Sequence, residues 1–178
     1  MDEIVKAALK KWPNVPHCYG WLALDARGHW YMRDERIQAA GPFPQVKGSR
    51  IQHDKLLAFI HRNYMHDEAG SWFFQNGPQR VYVQLEVAPY VWRVGASAPW
   101  PVTAHTDAPA HPQSAWLDEQ GRLYLLTELG FGIVHTLDMD AAADAVETGH
   151  WSPQPVRFDE LPARFGFQRM PAPQAKAA

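Results

Sequence analysis

The chain has a single cysteine, Cys18, among 178 residues. That excludes an internal disulfide and a thiolate zinc cluster, and it fits a reducing compartment. No stretch approaches the ~20 consecutive apolar residues of a membrane helix. Charge of one sign is also scarce: the formal net charge is -2. So small a value argues against binding nucleic acid by phosphate neutralisation. The basic residues Lys47, Arg50, Lys55 and Arg62 are offset by Asp54, Asp67 and Glu68. Residues 1–12 carry Asp2 and Glu3 and no continuous apolar run, so they do not read as a signal peptide. A soluble, cytoplasmic protein without membrane or nucleic-acid partners is expected.

Catalytic signatures are missing as well. There is no G-x-S-x-G, no phosphate loop, no G-x-G-x-x-G and no H-E-x-x-H. Gly130-Phe131-Gly132 lacks the third glycine, and Asp138 and Asp140 read as helix caps rather than a calcium loop. Nine histidines are present, yet His53, His61 and His66 are spaced by eight and five residues. A helical metal pair needs spacings of three or four. His53 falls on an apolar stripe and reads as a core imidazole. The one local cluster is His105-Thr106-Asp107-Ala108-Pro109-Ala110-His111. His105, Asp107 and His111 converging on one cation would make a small metal-dependent hydrolase, with the ion activating water. Otherwise no cofactor is expected, and nothing in the motifs decides for or against an enzyme.

What the chain does have is aromatic residues and a repeated pattern. Eight Trp, six Tyr and eight Phe supply ample core. Leu24-Asp25-Ala26-Arg27-Gly28-His29-Trp30-Tyr31, with Glu35, returns as Leu117-Asp118-Glu119-Gln120-Gly121-Arg122-Leu123-Tyr124, with Glu128. Each copy is followed by G-x-W-x-x-Q, at Gly70-Ser71-Trp72 to Gln75 and at Gly149-His150-Trp151 to Gln154. In L-D-x-x-G the Asp side chain can cap a tight turn while Gly takes a left-handed conformation. Apolar residues flank both turns, which predicts hairpins over about 20–33 and 115–127.

Around them, Ile4, Val5, Ala8, Leu9 and Trp12 predict a first helix capped by Asp2. Ser49 reads as the N-cap of a helix over about 50–66, with a buried stripe of His53, Leu56, Leu57, Ile60 and Tyr64. Trp72 to Phe74 read as a strand, Asn76-Gly77 as a hairpin turn, and alternating Val81, Val83, Leu85 and Val87 as a half-buried strand. Tyr90 to Val94 continue along an edge, because Pro89 interrupts the pairing. Phe131 to Thr136 predict another strand and Asp138 to Val146 a short helix. The fold expected is α+β, with antiparallel sheets built from two related hairpin–helix–strand halves, an internal duplication. The halves span 1–95 and 113–170, with a Pro/Ala-rich linker at 96–112 and a disordered tail at 171–178.

More aromatic surface than a core can hide would leave a groove for a peptide, a protein or a small ligand, or for self-association as a homodimer. Trp72 and Trp151, inside the repeated motif, and Tyr82 and Gln84, on the polar face of the central strand, are its candidate residues. A non-catalytic binding or interaction module is therefore the leading expectation. The W-x-x-L-D-x-x-G-x-W-Y hairpin, the helix over 50–66 and the V-Y-V-Q-L-E strand together resemble an uncharacterised proteobacterial family of about this length, a domain of unknown function. That resemblance implies a soluble bacterial protein and brings no activity, cofactor or site.

Overall fold

The computed structural model describes residues 1–175. Residues 176–178 of the expected tail lie outside them, and Pro171 at its start is buried. The chain forms two units. One comprises Met1–Asp25, His29–Glu86 and the chain from Gln168 on; the other comprises Ala26–Gly28 and Val87–Phe167. No helix among the described residues is long and apolar enough to cross a membrane.

The first unit contains α1 (Glu3–Lys11), β1 (Cys18–Leu24), β2 (Trp30–Met32), α2 (Glu35–Ala40), β3 (Ser49–Arg50), α3 (Asp54–Arg62), β4 (Tyr64–His66), β5 (Trp72–Asn76) and β6 (Gln79–Leu85). Its six strands are ordered β3-β2-β1-β6-β5-β4. Two antiparallel meanders thus meet at a parallel pair, β1 with β6, in which Leu22 faces Val83 and Leu24 faces Leu85. One face of this sheet, carrying Leu22, Leu24, Phe74, Val81 and Val83, packs toward α3, whose Ile60 is buried and whose Phe59 sits edge-on to Phe74 at 5.5 Å.

The second unit contains β7 (Tyr90–Val94), β8 (Val102–Ala104), β9 (Pro109–Ala110), β10 (Pro112–Leu117), β11 (Leu123–Thr127), β12 (Gly130–Val134), α4 (Met139–Glu147), β13 (Gln154–Pro155) and α5 (Leu161–Phe165). Its order is β13-β10-β11-β12-β7-β8-β9. Again two meanders are joined by a parallel pair, β7 with β12, and β13 adds a second parallel pairing on β10. The class is α+β, with sheets that are antiparallel except at these pairs. The wiring common to both sheets is compatible with an internal duplication, but in another register than the paired sequence motifs. By strand order, the counterpart of the β10–β11 hairpin is β4–β5, not β1–β2.

That counterpart contains a third D-x-x-G turn, Asp67-Glu68-Ala69-Gly70. In all three turns the glycine is left-handed, with φ of 82° at Gly28, 79° at Gly70 and 77° at Gly121. In all three the Asp Oδ1 accepts the backbone N–H four residues on: from His29 at 2.9 Å, from Ser71 at 3.0 Å and from Arg122 at 3.0 Å. Each Oδ2 accepts a tyrosine hydroxyl, from Tyr31 at 3.1 Å, Tyr82 at 3.0 Å and Tyr124 at 2.7 Å.

Several local expectations are corrected. The helix expected over 50–66 shrinks to α3, because Ser49 and Arg50 pair with Met32 and Tyr31 as an edge strand. His53 is exposed rather than a core imidazole, and its Nδ1 accepts the Leu56 N–H at 3.3 Å as the N-cap. Buried Asn63 ends the helix, donating to the Phe59 carbonyl at 2.9 Å, and Tyr64 enters β4. The Asp2 carboxylate caps nothing and instead meets Arg62 Nε at 3.1 Å. Of the α1 stripe only Val5 is buried, and Ile4 is 75% exposed. A helix the periodicity missed, α2, begins at Asp34, whose carboxylate accepts the Ile37 N–H at 2.9 Å. Tyr90 to Val94 form an interior strand rather than an edge, since β7 lies between β12 and β8 and buries Tyr90, Val91, Trp92 and Val94. Within residues 96–112 lie β8 and β9.

The Asp118 carboxylate is buried and accepts from both backbone and side chains. Burial pushes its pKa up, but hydrogen bonds from the Tyr124 hydroxyl, the Arg122 amide and side chain, and the Gln120 amide outweigh this and hold it below the ordinary aspartate value. Asp118→Ala is expected to cost about 3 kcal/mol, as loss of a buried, multiply bonded charge does. The carboxylate's contribution is fully present above the unfolded pKa of about 3.9 and is lost as pH falls through the lower folded value. Urea unfolding across the acid range should therefore show a flatter acid limb in the variant. An unchanged midpoint would contradict this account.

Candidate functional site

Between α3 and the first sheet lies a groove of about 250 Å³. Its walls are Leu22, Phe74 and Val81 from the strands, Leu56 and Ile60 from α3, and Ile51 just before it. Its rim is Cys18, Trp21, Met32, Asn76 and Gln79. None of these side chains is formally charged. Trp21 is 38% exposed and Met32 48%, so the apolar surface continues past the opening.

The groove owes its rim to an irregularity in β1. Pairing with β6 shifts register between Cys18 and Leu22. At that shift Gly20 has φ of 82°, a conformation that costs glycine little. In a regular strand, Cys18 and Leu22 would share one face and Trp21 would take the other. The bulge brings Trp21 to the same opening as both.

Cys18 is half-buried, and burial pushes its thiol pKa up. A raised thiol is a weak nucleophile, and no histidine lines the groove to activate it. The site is suited to burying an apolar group rather than to moving a proton.

The candidates read from the sequence fall elsewhere. Trp72 is buried, 4.8 Å from the Tyr64 ring. Tyr82 is paired with Phe73, so it lies on the opposite sheet face from Trp72. It is buried, stacks on Tyr19 at 4.7 Å and donates its hydroxyl to Asp67. Gln84 is half-buried, and Trp151 is buried in the second unit. None of the four lines the groove. Glycine inside the apolar Cys18-Tyr19-Gly20-Trp21 run was the legible sign of the bulge.

The histidine loop does not assemble a metal site. His105 Nδ1 accepts the Val91 N–H at 3.2 Å, inside the second sheet. His111 is exposed and clasps Glu128, with its ring at 2.9 Å and its backbone N–H at 2.8 Å from the carboxylate. Asp107 is an exposed turn residue with φ of 68°. Among the described residues no three His, Cys, Asp or Glu side chains are grouped to hold a metal. A hollow of about 520 Å³ in the second unit, beside β13, is lined by Asp118, Glu119, Arg157 and Glu160 as well as Leu117 and Val156. Most of those charged groups are already engaged: Asp118 with Arg122, Arg157 with Asp159, and Glu119 with the Phe158 N–H.

A family model described as a protein of unknown function (DUF2946) matches residues 1–172. No curated protein matches the sequence. The crystal structure of a DUF1285 family protein from Silicibacter pomeroyi DSS-3 is similar with a TM-score of 0.51 and 13% identity, over 81% of this chain and 84% of that one. A DUF1285 family protein from Shewanella baltica OS155 gives a TM-score of 0.47 and 15% identity, over 70% of this chain and 91% of that one. At these identities the first likeness is one of fold. The match to an uncharacterised family over nearly the whole chain is what the sequence resemblance implied.

The raised Cys18 thiol sets a measurable behaviour. Alkylation by iodoacetamide at neutral pH should be slower for the folded protein than for the urea-unfolded chain, and should still be gaining rate near pH 9, about where a free thiol is half ionised. Equal rates in the two states would show that the groove neither buries nor perturbs the thiol.

Proposed function

We propose that this chain, which belongs to the family of proteins of unknown function (DUF2946), is a non-catalytic binding module whose groove takes one neutral, apolar anchor side chain of a peptide partner. The observation that carries this reading is a lining with no formal charge beneath an exposed Trp21 and Met32. Charged ligands would lose hydration in such a groove without gaining a partner. Size narrows the occupant further. Pockets for drug-sized ligands and cofactors span roughly 300–1,000 Å³. About 250 Å³ suits a single large side chain. Asn76 and Gln79 on the rim offer amides to a peptide backbone, and Met32 is the flexible residue that adaptable binding surfaces favour.

Capped tripeptides Ac-Ala-X-Ala-NH2 test the reading by amide NMR shifts and by protection of Cys18 from alkylation. With X as Leu, Phe or Trp, saturable shifts are expected at α3 and β1, together with slower alkylation. With X as Asp or Lys, neither is expected. Trp21→Ala should weaken the apolar series roughly tenfold, as loss of a hot-spot aromatic does. Indifference to the charge of X, or no saturation in the millimolar range, would end this reading.

A further inference from the structure

The three D-x-x-G turns share their hydrogen bonds but not their electrostatic neighbours. Asp25 Oδ2 takes the Tyr31 hydroxyl and also Lys47 Nζ, at 3.2 Å. Asp118 Oδ2 takes the Tyr124 hydroxyl and also Arg122 Nε, at 2.7 Å. Asp67 Oδ1 is occupied like that of Asp118, by the amides two and four residues on, Ala69 and Ser71, both at 3.0 Å. Its Oδ2 takes the Tyr82 hydroxyl and, among the described residues, no cation. Arg80 reaches only that hydroxyl, at 3.4 Å, and its guanidinium lies over the Phe73 ring.

Where the sister turns hold an ammonium and a guanidinium, Asp67 opens on a cavity of about 350 Å³. That is about ten times the ~30 Å³ share of one water in the liquid, so there is room for an organic group. Around it stand His17, Tyr19, Ser71, Gln168 and Gln174, and among the described residues Asp67 is the one carboxylate in the lining. Tyr19 and Tyr82, stacked on each other at 4.7 Å, form the aromatic part of its wall.

We propose that this cavity binds an organic cation, an alkylammonium or guanidinium group whose N–H donates to Asp67 Oδ2 and completes the arrangement that Lys47 and Arg122 complete elsewhere. The cation comes either as a free amine or as a Lys or Arg side chain. No residue of this cavity lines the apolar groove. The two sites can therefore succeed or fail separately.

Amide NMR titrations at constant ionic strength would use butylammonium, methylguanidinium, Ac-Ala-Lys-Ala-NH2 and Ac-Ala-Arg-Ala-NH2, with n-butanol as the neutral control. Saturating shifts at the Ala69 and Ser71 amides are expected with the cations and not with butanol. Saturation by the free cations identifies a small amine as the ligand; saturation by the peptides alone identifies a side chain. Asp67→Asn keeps an acceptor for the turn amides and should weaken binding at least tenfold with an unchanged thermal midpoint. Should that variant unfold, the contrast between cations and butanol in the native chain still decides. The proposal is overturned if no cation saturates, if butanol produces the same shifts, or if a folded Asp67→Asn protein binds as the native one does.

Discussion

In each unit the first and last of six consecutive strands pair parallel, β1 with β6 and β7 with β12, and the remaining chain is arranged around that pairing. It sends the third and fourth strands to opposite ends of the six, so the link between them must cross the sheet. Five strand spacings of a flat sheet come to about 24 Å. In the first unit residues 51–63 make the crossing and include α3, nine residues long. The helix covers one face, and the gap it leaves over Leu22, Phe74 and Val81 is the groove. In the second unit only His111 separates β9 from β10. A link of that length spans at most about 7.6 Å, so the sheet must curl until its ends approach. The face of this sheet that carries Tyr124 and Phe131 is covered by α5, with Phe131 stacked on Phe165 at 3.8 Å and on Tyr124 at 5.3 Å. The same wiring is thus completed by a helical crossing in one unit and by a single residue in the other.

The turns apply the same logic to charge. A carboxylate that satisfies turn amides with one oxygen leaves the other facing inward, and a buried anion is costly without a partner. A tyrosine hydroxyl answers first in every case, but it comes from a different place. Tyr31 and Tyr124 lie six residues along their own hairpins, whereas Tyr82 arrives from the neighbouring strand, opposite Phe73. Asp25 and Asp118 are buried and also hold cations; Asp67 is only half-buried, so water reaching the cavity reduces the cost of its charge. Partial exposure is what permits this turn to persist with one position open.

How much of this was legible follows from the range of the interactions involved. Both hairpins and the strand from Val81 were readable because turn chemistry and alternation are local. The turn expected at Asn76-Gly77 falls one residue later, on Gly77 and Pro78, since Asn76 pairs with Gln79. The end of α3 was not, because the residue that decides it, Asn63, also accepts the Asp2 N–H at 2.8 Å, sixty-one positions away. The third D-x-x-G turn does not stand out as a repeat along the chain, because Phe73 occupies the place of Tyr31 and Tyr124 and the hydroxyl comes from Tyr82. Trp72, Tyr82 and Trp151 read as aromatic surface from composition, yet all three are buried, the first two by strand pairing. Composition cannot distinguish a buried tryptophan from an exposed one. The exposed Trp21 was visible only as a hairpin flank.

That distinction turns on Gly20. Without a bulge, the indole at position 21 would be carried to the sheet face bearing Ala23, away from α3, because side chains alternate strictly along a regular strand. The groove would keep its walls but lose its exposed rim. A Cβ at Gly20 would meet the Gln38 side chain at 2.7 Å, while Gln38 is held by donating its amide to the Arg33 carbonyl at 2.8 Å. The bulge is therefore constrained twice, by a left-handed φ and by α2 lying close above it. The helix that periodicity missed is in this way part of what keeps the bulge, and with it the rim, in place.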